Sequence, residues 1–112
     1  MAEIDFHSAS EIAAAVRSRS LSCTEIMRAT LEAAERAQRA YNCFITIATD
    51  QAMRMAEQAD GAVARGARLG PLHGVPFHVK DLVSTKGVRT TFGSFIHESN
   101  VPAANAVCID RL

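Results

Sequence analysis

The chain holds two lysines, Lys80 and Lys86, against ten arginines. Lys80 closes the run Val75-Pro-Phe-His-Val79, in which Val75, Phe77 and Val79 point to one side. An ammonium at the tip of a buried strand is disfavoured in its charged form, so its pKa falls. Such a lysine can act as a general base near neutral pH, which an arginine cannot. It would serve a hydroxyl nucleophile in the Ser-Lys variant of the catalytic triad. The plain alternative is a lysine paired with Asp81 or another carboxylate that merely ends a strand. Lys86 lies between Thr85 and Gly87 and reads as an exposed turn residue.

Other groups with chemistry surround this segment. Adjacent strand residues face opposite ways, so Asp81 is expected to bond loop amides rather than tune Lys80. Thr90, Thr91, Gly93 and Ser94 fit a substrate-lining loop and an ordinary turn equally well. Nothing in the sequence marks a base for Ser94 as a nucleophile. His73, His78 and His97 match no common ligand spacing, so no metal site is expected. Cys23, Cys43 and Cys108 form no CxxC pair and read as small buried residues of a reducing compartment. Met27, Met53 and Met55 read as core filling.

Four helices and two strands must position these groups. Ser8-Ala-Ser-Glu11 and Ser22-Cys-Thr-Glu25 are capping-box patterns. They predict helices over 9–19 and 23–39. In the second, Ile26, Ala29, Ala33 and Ala37 recur at helical spacing, with Arg28, Glu32, Arg36 and Arg39 opposite. Asp50 is suited to cap a third helix over 50–65. A fourth is expected over 103–112, with the chain stopping inside it. Cys43-Phe-Ile-Thr-Ile47 and Val75-Pro-Phe-His-Val79 read as short strands over 43–47 and 75–79. The fold class is then α/β, helices packed on a mixed sheet. Two short strands make only a marginal sheet, so the domain reads as incomplete.

The 112 residues suffice for one modest domain or part of a larger one. Apolar residues form 48% of the chain, which argues against a disordered chain. Twelve basic and twelve acidic residues cancel, leaving no electrostatic footprint for nucleic acid or a membrane surface. No apolar run approaches the ~20 residues of a membrane span. Residues 1–10 lack the basic region of a signal peptide, so a cytoplasmic protein is expected.

The run Pro71-Leu-His-Gly-Val-Pro-Phe-His-Val-Lys-Asp-Leu82, followed by Gly87-Val-Arg-Thr-Thr-Phe-Gly-Ser94, closely resembles the lysine segment of the amidase-signature family. The Ser22-Cys-Thr-Glu25 helix start, the 42–47 stretch and Val101-Pro-Ala-Ala-Asn-Ala-Val-Cys-Ile-Asp-Arg-Leu112 resemble that family's amino-terminal region. The resemblance implies a layered α/β fold and hydrolysis of carboxamides by a serine nucleophile, a bridging serine in a cis peptide bond, and Lys80 as catalytic lysine. It implies no cofactor and a small-molecule amide substrate; Thr91, Gly93 and Ser94 are substrate-side candidates only by their place in the loop. An A-type amidotransferase subunit is the alternative within the family. The assemblies then open are a homodimer or a complex with amidotransferase partner subunits.

The Gly-Gly-Ser-Ser-type run that carries the family's serines is absent here, and the family's domain is several times longer. The chain is therefore expected to be an amino-terminal fragment, inactive alone, that supplies only Lys80. A non-catalytic helical interaction module, with helices 9–19 and 23–39 as the docking surface, is the competing reading. A gene remnant, or a chain that does not fold alone, also stays open.

Overall fold

The structure is a computed structural model that describes residues 7–112. These residues form two compact units, one comprising the chain up to Cys43 with Ile47–Pro76, the other Phe44–Thr46 with Phe77–Leu112.

The first unit is three helices. Helix α1, Ala9–Arg17, and helix α2, Cys23–Tyr41, start as the sequence predicts. Ser8 Oγ accepts from Glu11 N, and the Glu11 carboxylate accepts from Ser8 N at 2.7 Å. Ser22 and Glu25 repeat the arrangement, with Ser22 N donating to the Glu25 carboxylate at 2.8 Å. Each box satisfies orphan amides of a first turn. Helix α2 ends at Asn42, whose left-handed backbone (φ 49°) suits an asparagine at a helix stop.

Helix α3, Thr49–Ala64, starts without a side-chain cap. Its N-cap is Ala48, so Asp50 is not the cap expected from sequence. It lies in the first turn, where its charge still suits the helix dipole. Helix α3 packs against α2. The core between the helices is Ile12, Val16, Cys23, Ile26 and Ala56, with Leu21, Met27, Ala59, Val63 and Val75 packed against it. Val16 and Ile26 are each 1% exposed. Burying side chains of this size contributes about 1.5–3 kcal/mol apiece.

Asp60, on α3, fastens the two long helices together. Its carboxylate accepts from Cys23 N at 2.6 Å, Thr24 N at 3.1 Å and Thr24 Oγ1 at 2.9 Å. Burial pushes this carboxyl upward. The bonds from Cys23 and Thr24 outweigh that and hold it below the usual carboxylate range.

The second unit is mostly turns, with one 3-10 turn, Phe95–His97, and a short helix α4, Val107–Arg111. Helix α4 starts four residues later than the sequence predicts. The preceding backbone is committed elsewhere: Pro102 O accepts from Gly87 N at 3.0 Å, and Ala106 N donates to Ser84 O at 2.8 Å. Asn105 Oδ1 accepts from Lys86 N at 2.6 Å.

No strand forms among the described residues, so the expected strands 43–47 and 75–79, and the mixed sheet of the α/β reading, are not present. A strand needs a neighbour to receive its amides and carbonyls. The two segments do not pair. Phe44 and His78 meet edge to face instead, with ring centroids 6.3 Å apart, and Ile45 O accepts from Arg89 Nη2 at 3.4 Å. No described helix is long and apolar enough to cross a membrane.

Candidate functional site

The segment singled out by sequence is built in two parts. Residues 70–76 belong to the helical unit. Gly70 O accepts from Arg17 Nη2 at 2.7 Å, and Ala59 O lies 3.0 Å from His73 Nε2, which donates to it. Val75 N closes a turn onto Leu72 O at 3.0 Å. Gly74 has φ +79°, and a Cβ built there would lie 2.8 Å from Val16 Cγ2 and 2.9 Å from Cys23 Sγ. The glycine thus lets the loop backbone rest directly on the core, in a conformation that other residues rarely adopt. The Leu72-His-Gly-Val-Pro76 motif is an anchor: one histidine tie, one glycine approach and one valine packed on the core.

Residues 77–94 belong to the second unit. Lys80 is exposed, so the burial expected for it at a strand tip is absent. Its carbonyl accepts from Val83 N at 3.0 Å in a turn. Among the described residues its ammonium forms no hydrogen bond or ion pair.

Asp81 is occupied differently. Its Oδ1 accepts from Thr91 N at 2.7 Å, its Oδ2 accepts from Thr91 Oγ1, and its carbonyl accepts from Phe92 N at 2.9 Å. The Thr91 hydroxyl and amide, with help from Gly93 N–H and the Arg89 guanidinium, hold the Asp81 carboxyl below the usual range. The Lys80–Asp81 pair offered as the plain alternative is therefore not formed. Neighbouring residues in the chain are turned to separate tasks.

The loop that follows is fixed from both sides. Thr90 and Thr91 are its buried residues. Thr90 N donates to Asn100 O at 2.9 Å, and Asn100 Nδ2 donates to Thr90 O at 2.8 Å. Thr91 Oγ1 also accepts from Gly93 N at 3.3 Å. Phe92 is held in the left-handed region at φ 53°. Ser94 Oγ accepts from Ile96 N at 3.3 Å and caps the 3-10 turn. So Thr91 is spent on the fold of the loop, whereas Gly93 is exposed and Ser94 half-buried.

The cysteines divide. Cys23 is buried, and burial together with the Asp60 carboxylate pushes its thiol up to about 12. Cys43 and Cys108 are exposed, contrary to the packing expected of all three. Cys108 sits on a short helix with no buried residue. Met55 is 53% exposed and does not fill the core. Among the described residues, no three His, Cys, Asp or Glu side chains converge as metal ligands.

An open cleft of about 380 Å³ lies in the helical unit, lined by residues that include Arg19, Leu21, Glu25, Asp60 and Val63. It contains none of residues 77–94. Sequence reasoning missed Asp60 and Asn100. A lone acid within a helix and an asparagine in a loop carry no periodic signal, and each acquires its role only from a distant partner.

An amidase family profile matches residues 25–112. The chain therefore belongs to the amidase family. It is 39% identical, over its whole length, to the acylamidase of Rhodococcus erythropolis, 24% of which it covers. It is 34% identical over 98% of its length to the A-type subunit of the glutamyl-tRNA(Gln) amidotransferase of Carboxydothermus hydrogenoformans, 23% of which it covers. A similar fold occurs in a solved structure described as an unexpected vestigial protein complex revealing the evolutionary origins of an s-triazine catabolic enzyme. There the TM-score is 0.88 at 29% identity, over 94% of this chain and 23% of the other. The chain thus spans about a quarter of the length of the relatives it matches.

Proposed function

We propose that this chain supplies Lys80 as the proton-accepting base of an amide hydrolase. The nucleophilic and bridging serines come from sequence outside these 112 residues. The observation that carries the reading is the separation of Lys80 from Asp81. Thr91 engages both carboxylate oxygens of Asp81, and the Lys80 ammonium stays exposed and unpaired among the described residues. A lysine locked in an ion pair would be held charged; a free one can be desolvated by whatever packs over it and so become a base.

The chemistry is acyl transfer. The neutral Lys80 amine takes a proton from the bridging serine, which takes one from the nucleophile. The serine oxygen bonds to the carboxamide carbon. The C–N bond breaks, and ammonia or an amine leaves with a proton. Water then releases the acid from the acyl-enzyme. The 91–94 loop forms the substrate side, with Thr91 holding it and Gly93 and Ser94 its accessible part. The chain alone is inactive on this reading. The substrate is a small carboxamide, and the setting is cytoplasmic. An A-type amidotransferase subunit, with partner subunits, is the second reading, supported by the 34% identity to such a subunit.

A chimera tests the proposal: these 112 residues replace the aligned stretch of the Rhodococcus acylamidase. Ammonia release should be present in the chimera and fall at least about a thousandfold in Lys80→Ala, as for loss of a catalytic base. A folded Lys80→Ala chimera that turns over at the parental rate refutes the role.

A further inference from the structure

Among the described residues the second unit buries Thr90 and Thr91 and no apolar side chain. Hydrogen bonds rather than packing hold its backbone, and several of them meet at Asp81. The Asp81 carboxylate accepts from Thr91 N at 2.7 Å and from the Thr91 hydroxyl, and the Asp81 carbonyl accepts from Phe92 N at 2.9 Å. One residue earlier, Lys80 O accepts from Val83 N at 3.0 Å. Both peptide groups that flank Asp81 are thus engaged. The Lys80 ammonium, in contrast, has no hydrogen bond or ion pair among the described residues.

The segment that Asp81 grips is strained. Phe92 has φ 53° and Gly93 φ 67°, and Ser94 N closes the turn onto Thr91 O at 3.0 Å. The first of two successive left-handed turn positions normally takes asparagine, aspartate or glycine. A bulky residue there is an outlier. Such conformations persist only where the surroundings over-determine them, and they cluster at functional sites. Here Asp81 does the determining: it holds Thr91 by amide and hydroxyl and Phe92 by its amide. His97 meets the Phe92 ring edge to face, with centroids 5.3 Å apart. A turn that only reversed the chain could take asparagine or glycine and would need no such grip.

We infer that Asp81 is a positioning residue for Lys80: by clamping Thr91 and Phe92 it fixes the backbone from which the Lys80 amine reaches its serine. This deepens the reading of Lys80 as the base and rests on it. A lysine carries its amine on a flexible four-carbon stem. A base must come within hydrogen-bond reach of the proton it takes, and a misplacement of about 1 Å can cost on the order of a hundredfold in rate. Fixing the backbone at the root of the stem removes one source of that misplacement. The Asp81 carboxyl is held below its usual range by its Thr91 bonds, so the clamp stays ionised at neutral pH.

The acylamidase chimera tests the inference through a double-mutant cycle. Asp81→Ala should lower kcat per folded enzyme at least about tenfold, with KM changed by less than about threefold. In the Lys80→Ala chimera the same substitution should leave the residual kcat within about twofold, because there is no amine left to position. A role in stability alone would lower the melting temperature in both backgrounds and leave kcat per folded enzyme at the parental value, which would overturn the inference. So would a rise in KM alone, or an equal fold-loss of kcat with and without Lys80. If Asp81→Ala does not fold, Thr91→Val removes the hydroxyl arm of the clamp and keeps the amide arm. It should lower kcat several-fold with Lys80 present and not in the Lys80→Ala background; a parental kcat there overturns the inference too. An inactive Lys80→Ala chimera beside a fully active Asp81→Ala chimera sinks the clamp and spares the base, whereas a Lys80→Ala chimera at the parental rate sinks both.

Discussion

Gly74→Ala should be among the most damaging single-methyl changes this chain can suffer. Two separate costs arise. The backbone sits at φ +79°, where a Cβ is strained, by about 1–2 kcal/mol. The new methyl also lands 2.8 Å from Val16 Cγ2, 2.9 Å from Cys23 Sγ and 3.2 Å from Val16 Cγ1. Both neighbours are almost fully buried and cannot swing away, and overpacking of this kind costs about 1–3 kcal/mol. Reduced freedom of the unfolded chain offsets ~0.4–1 kcal/mol. The net loss is on the order of 3 kcal/mol, a large fraction of a small domain's stability.

Gly66→Ala is the matched control. Its φ is +67°, yet no atom lies within 4 Å of the added methyl. It should therefore cost about 1 kcal/mol or less, from strain alone. Urea unfolding followed by circular dichroism reads both, with the midpoint falling and the slope unchanged. If Gly74→Ala and Gly66→Ala shift the midpoint equally, the motif does not rest on Val16 and Cys23, and Gly74 is no anchor.

Two further outcomes follow from the titratable groups. Asp81→Asn should weaken the 81–94 loop in a pH-dependent way. The folded carboxyl is held below its ordinary value. Its stabilisation is therefore present above the unfolded value of about 3.9 and is lost as pH falls through the folded value. The midpoint gap between parent and variant should be open at neutral pH and close only in strong acid. A gap that persists unchanged there would show that charge is not its source. For the thiols, brief alkylation of the native chain should label the exposed Cys43 and Cys108 and spare Cys23, whose thiol is buried and pushed up to about 12. Mass spectrometry reads the sites, and early labelling of Cys23 would contradict its place in the helical core.

The helices are legible because their signals are local. The two capping boxes span four residues each, and the Ile26–Ala29 stripe follows the helical period. Both can be read without knowledge of any partner. Asp50 misleads because a capping side chain resembles any acid in a first turn. The strands fail for the opposite reason. Propensity over 43–47 and 75–79 is real, but a ladder is a property of two segments, and these two meet through Phe44 and His78 side chains instead. Helix α4 is shorter than its sequence suggests because Asn105 and Pro102 are engaged by Lys86 and Gly87, far back along the chain.

The sequence by itself determined the starts of the first two helices, the family and the lysine singled out for chemistry, since each lies in a contiguous run of residues. Only the tertiary structure decided what surrounds that lysine. It chose Thr91 as the partner of Asp81, which the sequence had already turned toward loop amides, pressed Gly74 onto Val16 and Cys23, and left Phe95 and Ile96 bare. These are outcomes of distance and burial, and both depend on residues brought together from far apart in the chain.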